Sequence, residues 1–185
     1  MTMAAPGLRS PMLAQLLGEL DRIEPRTRVA VTGLPESKFR EIPPDGGWSI
    51  AQVFEHLCVS NREYLDGPLP SAVAKAVEKG PREWRPSFLG GWLASALIEG
   101  TKPMSTPRVL RVGEPRANVV DEFLKSVAET RALLLAVDGH DLRLAMRSPV
   151  APIIRMNVGD ALRILVVHSH RHLAQAERTR RAVGM

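Results

Sequence analysis

The sequence has few of the features that mark secreted, disulfide-linked or membrane-spanning proteins. It contains one cysteine among 185 residues, Cys58, which excludes an intrachain disulfide and fits a reducing compartment. No segment approaches the roughly 18 uninterrupted apolar residues that a membrane-spanning helix needs. The N-terminal stretch also lacks the apolar core of a signal peptide. We therefore expect a soluble, cytoplasmic protein with no membrane partner.

Aromatic residues are scarce, at 4% of the chain, whereas basic residues outnumber acidic ones by 25 to 20. A formal net charge of +5 is compatible with a nucleic-acid partner. The arginines are scattered, however, and they are seldom interleaved with aromatics as on nucleic-acid-binding surfaces. Nucleic acid is therefore the least favoured partner.

Apolar residues recur at helical spacing in at least four segments, and no stretch alternates convincingly as a strand does. The pattern predicts an all-α chain, with residues 1–185 forming a single four-helix-bundle domain. The four main helices are predicted over Pro11–Val31, from Ser49 to about Leu65, over Arg116–Val137, and from Asn157 to about Arg181.

A long crossover joins the second and third main helices. It extends from Gly67 to Pro115, is rich in proline and glycine, and contains two short helix-like pieces, Ser71–Glu78 and Phe88–Ile98. Bundles with one long connection are a common variant of the architecture. Three aromatic residues of the crossover are expected to pack onto the bundle: Trp84, Phe88 and Trp92.

Two main helices have clear N-terminal signals. Ser49 followed by Gln52 forms a capping box, and Trp48 and Val53 are placed to form a hydrophobic staple around it. Asn157 is predicted to cap the last helix.

Three of the five histidines lie in the last helix, within HSHRHLAQ. His168 and His172 are one turn apart and share a face, whereas His170 points roughly the opposite way and is expected to be solvated. Counting by threes and fours along this helix gives one continuous seam: Val158, Ala161, Leu165, His168, His172 and Gln175. Two imidazoles inside a bundle are unfavourable if charged or unpaired, and a shared metal ion satisfies both.

A metal ion would need a third ligand, and His56 is the candidate. It lies in the capped second helix, whereas His140 follows the helix-ending Gly139 and falls in a loop. His56 is at the margin of its helix's apolar arc, however. The alternative is therefore that the histidines form hydrogen bonds in the interior or on the surface and bind no metal.

Two blocks of sequence resemble a known family. WSIAQVFEHL, from Trp48 to Leu57, paired with HSHRHLAQ, from His168 to Gln175, resembles the DinB-like superfamily, also called the YfiT-like metal-dependent hydrolases. KPMSTPRVL from Lys102 and the connector SPV from Ser148 are also similar to family members, so the resemblance covers most of the chain.

The resemblance implies a fold and a ligand set. The fold is a four-helix bundle in up-down-down-up order. The implied ligands of a divalent transition metal, zinc or nickel, are His56, His168 and His172. Three imidazoles leave a coordination position open for solvent or substrate.

The sequence also suggests roles for other residues near the histidines. Gln175 is expected either to support the site or contact substrate, or to be a surface amide. Asn61 and Tyr64, on the inner face of the second helix, are expected to line a pocket, with packing or backbone hydrogen bonding as the alternative. Glu55 is expected to be solvated rather than a general base, so no catalytic residue is assigned.

The resemblance also bears on activity. Relatives include transferases and isomerases that use low-molecular-weight thiols such as mycothiol or bacillithiol, as well as hydrolases. An open metal site lowers the pKa of a bound water or thiol and so serves both chemistries. We therefore expect a metal-dependent enzyme with a small-molecule substrate, of thiol-transfer or hydrolytic type, in a chain that forms homodimers as family members often do. The alternatives are a structural metal-binding bundle and a nucleic-acid-binding bundle.

Overall fold

The computed structural model describes residues 7–99, 110 and 112–184. Within them, the chain forms seven helices and two short strands. The helices are α1 (Pro11–Val31), α2 (Glu36–Arg40), α3 (Ile50–Leu65), α4 (Pro68–Val77), α5 (Phe88–Glu99), α6 (Val119–Ala136) and α7 (Val158–Ala182), and the strands are β1 (Ala145–Arg147) and β2 (Arg155–Asn157).

Helices α1, α3, α6 and α7 form a bundle around one apolar core. Both α1 and α3 pack against α6 and α7. The largest fully buried side chains come from all four helices, and they include Leu13, Ile23, Phe54, Leu57, Phe123, Leu134, Leu162 and Leu173. The prediction of an all-α fold is confirmed.

The order of the contacts between helices gives their directions. Contacts from α1 to α7 advance together along both helices: Glu19 with His170, Arg26 with Glu177 and Val29 with Arg180. Contacts from α3 to α6 also advance together: Cys58 with Val119, Asn61 with Ser126 and Arg62 with Glu129. Contacts from α3 to α7 run in opposite senses: Trp48, just before α3, with Thr179, and Ser60 with His168. The first and last helices are therefore parallel to each other and antiparallel to α3 and α6.

Local capping explains where α3 and α7 begin. Ser49 Oγ accepts the Gln52 N–H, and the Gln52 side chain accepts the Ser49 N–H, so the predicted capping box is confirmed. Asn157 caps α7 and forms a second capping box, with Asp160. Pro25 lies within α1 and does not divide it.

The crossover contains α4 and α5, close to the two helix-like pieces that were predicted. Trp84 packs against Gly159 so closely that a Cβ there would lie 2.1 Å from Trp84 Cδ1, and its indole N–H donates to Asp160. Phe88 and Trp92 are 89% and 59% exposed. The predicted packing is therefore wrong for these two side chains, although α5 itself packs on α7, where Gly90 lies against Asp160.

Two features of the connections differ from the sequence-based expectation or lie beyond it. Strands β1 and β2 form an antiparallel pair with Met146 opposite Met156, and at three residues each they are too short for an alternating pattern to reveal. The KPMSTPRV part of the family-like segment, residues 102–109, lies outside the described residues.

Among the helices described, none has both the length and the apolar character needed to cross a membrane.

Candidate metal centre

Three predicted ligands meet in the bundle interior. His56 lies two turns into α3, and the antiparallel α7 presents His168 and His172 to it from the facing side. One ring nitrogen from each histidine lies within 4.8 Å of the others, and His56 Nε2 is 3.2 Å from His168 Nε2. In a tetrahedral zinc site with Zn–N bonds of about 2.0–2.1 Å, two ligand nitrogens are roughly 3.3 Å apart. The cluster therefore has dimensions that could hold one metal ion.

The opposite nitrogen of each ring, Nδ1, faces an oxygen atom. The partners are the Leu110 carbonyl for His56 at 3.4 Å, Ser60 Oγ for His168 at 3.4 Å, and Gln175 Oε1 for His172 at 2.8 Å. Ser60 Oγ donates its own proton to the His56 carbonyl, so toward His168 it acts as the acceptor. These acceptors assign the ring protons to Nδ1 and leave the Nε2 lone pairs for a metal, as in zinc sites.

This tautomer makes a cation between the rings favourable. With both protons on Nδ1, the Nε2 atoms of His56 and His168 present lone pairs to each other across 3.2 Å. Two such lone pairs repel unless a proton or a cation lies between them. The donor set, three imidazole nitrogens, suits zinc, nickel and other divalent transition metals.

Burial keeps the three imidazoles neutral. It lowers the pKa of His56 and, as the largest cause, lowers the pKa of His168 well below its usual value, with His172 and His56 adding to the effect. Burial and the neighbouring His56 lower the pKa of His172 to about 3. Metal binding requires neutral imidazole, so the ligands are already in the binding-competent form at neutral pH.

Trp48 forms one wall of the cluster. Its ring centroid lies 4.9 Å from that of His56, and its ring stacks on His172 at 6.2 Å with an interplanar angle of 20°. Trp48 and His168 are half-buried, whereas His56 and His172 are buried. The sequence pattern had given Trp48 only a role in starting α3, because a residue before the helix cap has no place on a helical wheel.

The residues predicted to support the site separate into two groups. Gln175 Oε1 lies 2.8 Å from His172 Nδ1, and its role in supporting the site stays a prediction. Asn61 instead donates to Ser126 on α6. Burial raises the pKa of the Tyr64 hydroxyl, and the neighbouring Ser148 side chain opposes that shift. A role for Asn61 and Tyr64 in a substrate pocket stays a prediction.

Two residues expected to be solvated are not. Glu55 is 7% exposed and forms an ion pair with Arg116, just before α6. His170 is half-buried against α1, where its Nε2–H donates to the Glu19 carbonyl and its Nδ1 accepts from Arg26. Both predictions were wrong because a helical wheel shows one helix's apolar arc and not which neighbouring segment covers its outer side.

Comparison with known families gives one match. Residues 19–176 match the family model of the DinB superfamily, a span that includes His56, His168, His172 and Gln175. No curated protein and no solved structure matches the chain.

Proposed function

We propose that this chain, which belongs to the DinB superfamily, is a metal-dependent enzyme. His56, His168 and His172 would hold one divalent transition-metal ion. Zinc and nickel are the favoured ions, since imidazole nitrogen suits both. The supporting observation is the convergence of three neutral imidazoles, each with an oxygen acceptor at Nδ1.

The chain supplies three ligands, and that number bears on catalysis. Structural zinc sites usually have four protein ligands, whereas catalytic sites have three and keep a position for water or substrate. A metal bound in this way lowers the pKa of a water or thiol that binds beside it. We expect a small molecule to approach that position beside Trp48 and His168, the two half-buried residues of the cluster.

The surrounding residues have separate tasks in this scheme. Gln175 and Ser60 hold the α7 imidazoles in the correct tautomer. Trp48 excludes water from one side of the cluster and offers an apolar face to a substrate. The reaction is thiol transfer, with a low-molecular-weight thiol as co-substrate, or hydrolysis.

A structural metal site is the second candidate, and burial favours it. His56 and His172 are 4% and 9% exposed, and a bound ion would join α3 to α7. In that case the metal stabilises the bundle and accepts no exogenous ligand.

Metal content tests both candidates. Protein purified without an affinity tag should contain about one zinc or nickel ion per chain by elemental analysis. His168→Ala and His172→Ala should each lose it, because two imidazoles hold such an ion weakly. His140→Ala, which removes a histidine from the loop after α6, is the matched control and should retain the metal. A wild-type protein that stays metal-free after reconstitution would contradict both candidates.

Cobalt substitution distinguishes an enzyme from a structural site. If a coordination position is open, adding a thiol to the cobalt protein should produce a sulfur-to-cobalt absorption band, and the zinc or nickel protein should catalyse thiol transfer or ester and amide hydrolysis. A spectrum that does not respond to thiol, together with no turnover in either assay, would favour the structural site.

A further inference from the structure

The crossover returns to the bundle at a buried carboxylate beside a metal ligand. Glu55 Oε2 accepts the Arg116 backbone N–H at 3.0 Å, and both carboxylate oxygens accept from Arg116 Nε, at 3.0 and 3.1 Å. Arg116 Nη2 lies 2.9 Å from Glu55 Oε1. Leaving a buried carboxylate unpaired would be strongly unfavourable, and here one residue's main chain and side chain satisfy both oxygens.

The same stretch of chain also contacts His56. Leu110, six residues before Arg116, is 7% exposed, and its carbonyl oxygen faces His56 Nδ1 at 3.4 Å. Glu55 and His56 are consecutive on α3, so their side chains diverge by about 100° around the helix axis. Leu110 and Arg116 therefore contact α3 on two different sides.

A second arginine holds this returning chain from outside. Arg40, at the end of α2, donates to the Pro115 carbonyl at 3.2 Å and to Glu114 at 3.0 Å. Arg40 is more accessible to solvent than Glu55, so its hold is screened more strongly. The inner contact, Glu55 with Arg116, is therefore the principal anchor of the segment.

We propose that Glu55 is a positioning residue for the metal centre. By fixing Arg116, it keeps the Leu110 carbonyl against His56 Nδ1, which holds the His56 ring with Nε2 directed at the metal. Glu55 touches neither the metal nor the substrate in this role. The inference rests on the proposed metal site and adds that the crossover, through one carboxylate, sets how tightly that site binds its ion.

The alternative is that Glu55 only stabilises the fold, because the loss of a buried ion pair is destabilising whatever the function of the protein. The experiment must distinguish this role from positioning of the metal centre. Glu129 provides a matched control. It pairs with Arg62 and, like Glu55 with Arg116, links α3 to the α6 side of the bundle, but it does not hold the crossover. Glu129→Gln therefore removes a carboxylate from an ion pair between the same two sides of the bundle and leaves the Leu110 contact in place. Glu129 is the more exposed of the two carboxylates, so the unfolding midpoint of each variant is compared alongside its zinc affinity.

The test is zinc affinity, measured by competition with a chromophoric chelator in wild type, Glu55→Gln, Glu129→Gln and His168→Ala. Thermal unfolding of each metal-free protein reports stability separately. Glu55→Gln should bind zinc about tenfold more weakly than wild type, the lower end of the effect of removing outer support from a metal ligand. Glu129→Gln should keep wild-type affinity, even if its midpoint of thermal unfolding falls.

Three other results have defined meanings. Wild-type affinity in Glu55→Gln would overturn the positioning role while leaving the metal site intact. Equal weakening in Glu55→Gln and Glu129→Gln would also overturn it, since the loss would follow stability alone. Wild-type zinc binding no tighter than that of His168→Ala would instead refute the metal site itself.

A second variant covers the case in which Glu55→Gln does not fold. Arg116→Gln keeps the backbone N–H bond to Glu55 and changes a side chain that is 44% exposed, so the fold should tolerate it. Weaker zinc binding in Arg116→Gln than in Glu129→Gln would support the positioning role. Equal affinity in those two variants would overturn it.

Discussion

Each imidazole of the candidate metal centre faces an oxygen acceptor from a different source. Gln175 comes from the next turn of the same helix as His172, Ser60 reaches His168 from the facing helix, and the Leu110 carbonyl reaches His56 from the crossover. Only the first kind of contact follows from spacing along the chain. The spacing along α7 and the family resemblance could therefore single out the three histidines and Gln175, whereas Ser60 and Leu110 required knowledge of which segments meet.

The lowered histidine pKa values predict how the metal-free protein responds to acid. Burial holds the pKa of His172 at about 3, against a usual 6.5. Between those pH values, the unfolded chain binds a proton that the folded chain excludes, so stability decreases as pH falls below 6.5. One such histidine contributes about 1.4 kcal/mol per pH unit in this window. Urea unfolding of chelator-treated protein between about pH 7 and pH 5 should reveal this slope.

Substituting the histidine isolates its share of the slope from that of the carboxylates. His172→Gln should make the slope shallower by about 1 kcal/mol per pH unit. His140→Gln, in the loop outside the cluster, controls for the loss of a histidine as such. Identical slopes in wild type and His172→Gln would mean that His172 is protonated in the folded chain near its usual pKa.

At the scale of single elements, the N-terminus of α3 gives a prediction that separates stability from metal binding. Ser49 is 2% exposed, and its side chain caps the helix through Gln52. Ser49→Ala should reduce the free energy of unfolding by about 1 kcal/mol, the usual effect of losing a serine cap. His56 lies two turns further along, so zinc affinity should change little. Urea unfolding and chelator competition measure the two quantities.

An exposed serine in another helix is the control for this substitution. Ser71 lies in α4 and is exposed, so Ser71→Ala should change the free energy of unfolding by less than about 0.5 kcal/mol. If Ser49→Ala were as neutral as Ser71→Ala, the capping box would not contribute to stability.

The elements that could be predicted from sequence are those whose ends are set by local contacts. Ser49 and Asn157 accept hydrogen bonds from residues three positions ahead, and both helices begin where the cap predicts. The third main helix was predicted to begin at about Arg116 and begins at Val119, and Arg116 lies before it, bonded to Glu55 of α3. Helix boundaries that depend on contacts with distant residues cannot be predicted from the local spacing of apolar and capping residues.

The whole molecule joins residues that are far apart in the chain. His56 and His168 are 112 positions apart, and the antiparallel packing of α3 against α7 brings their Nε2 atoms together. The seam of α7 and the family-like blocks predicted this meeting. They did not predict the surroundings of His170, because the opposite face of α7 is covered by α1, through Glu19 and Arg26.

Because the ligands come from two helices, metal binding should stabilise the whole bundle and not one segment. A ligand that binds only the folded state adds about 4 kcal/mol at a free concentration a thousand times its Kd. Zinc should therefore raise the Tm of the metal-free wild type in a concentration-dependent way, and differential scanning calorimetry measures the increment. His56→Ala removes the α3 ligand and should abolish it.

His170→Ala is the matched comparison, since His170 lies between the two α7 ligands and bonds to α1. Losing its contacts with Glu19 and Arg26 should lower the Tm of the metal-free protein, yet the increment produced by zinc should equal that of wild type. His56→Ala should therefore lose the increase in Tm that zinc produces, whereas His170→Ala should lose part of the stability of the metal-free protein. An increment lost in His170→Ala would make His170 a ligand, and the assignment of His168 and His172 to one metal with His56 would then be wrong.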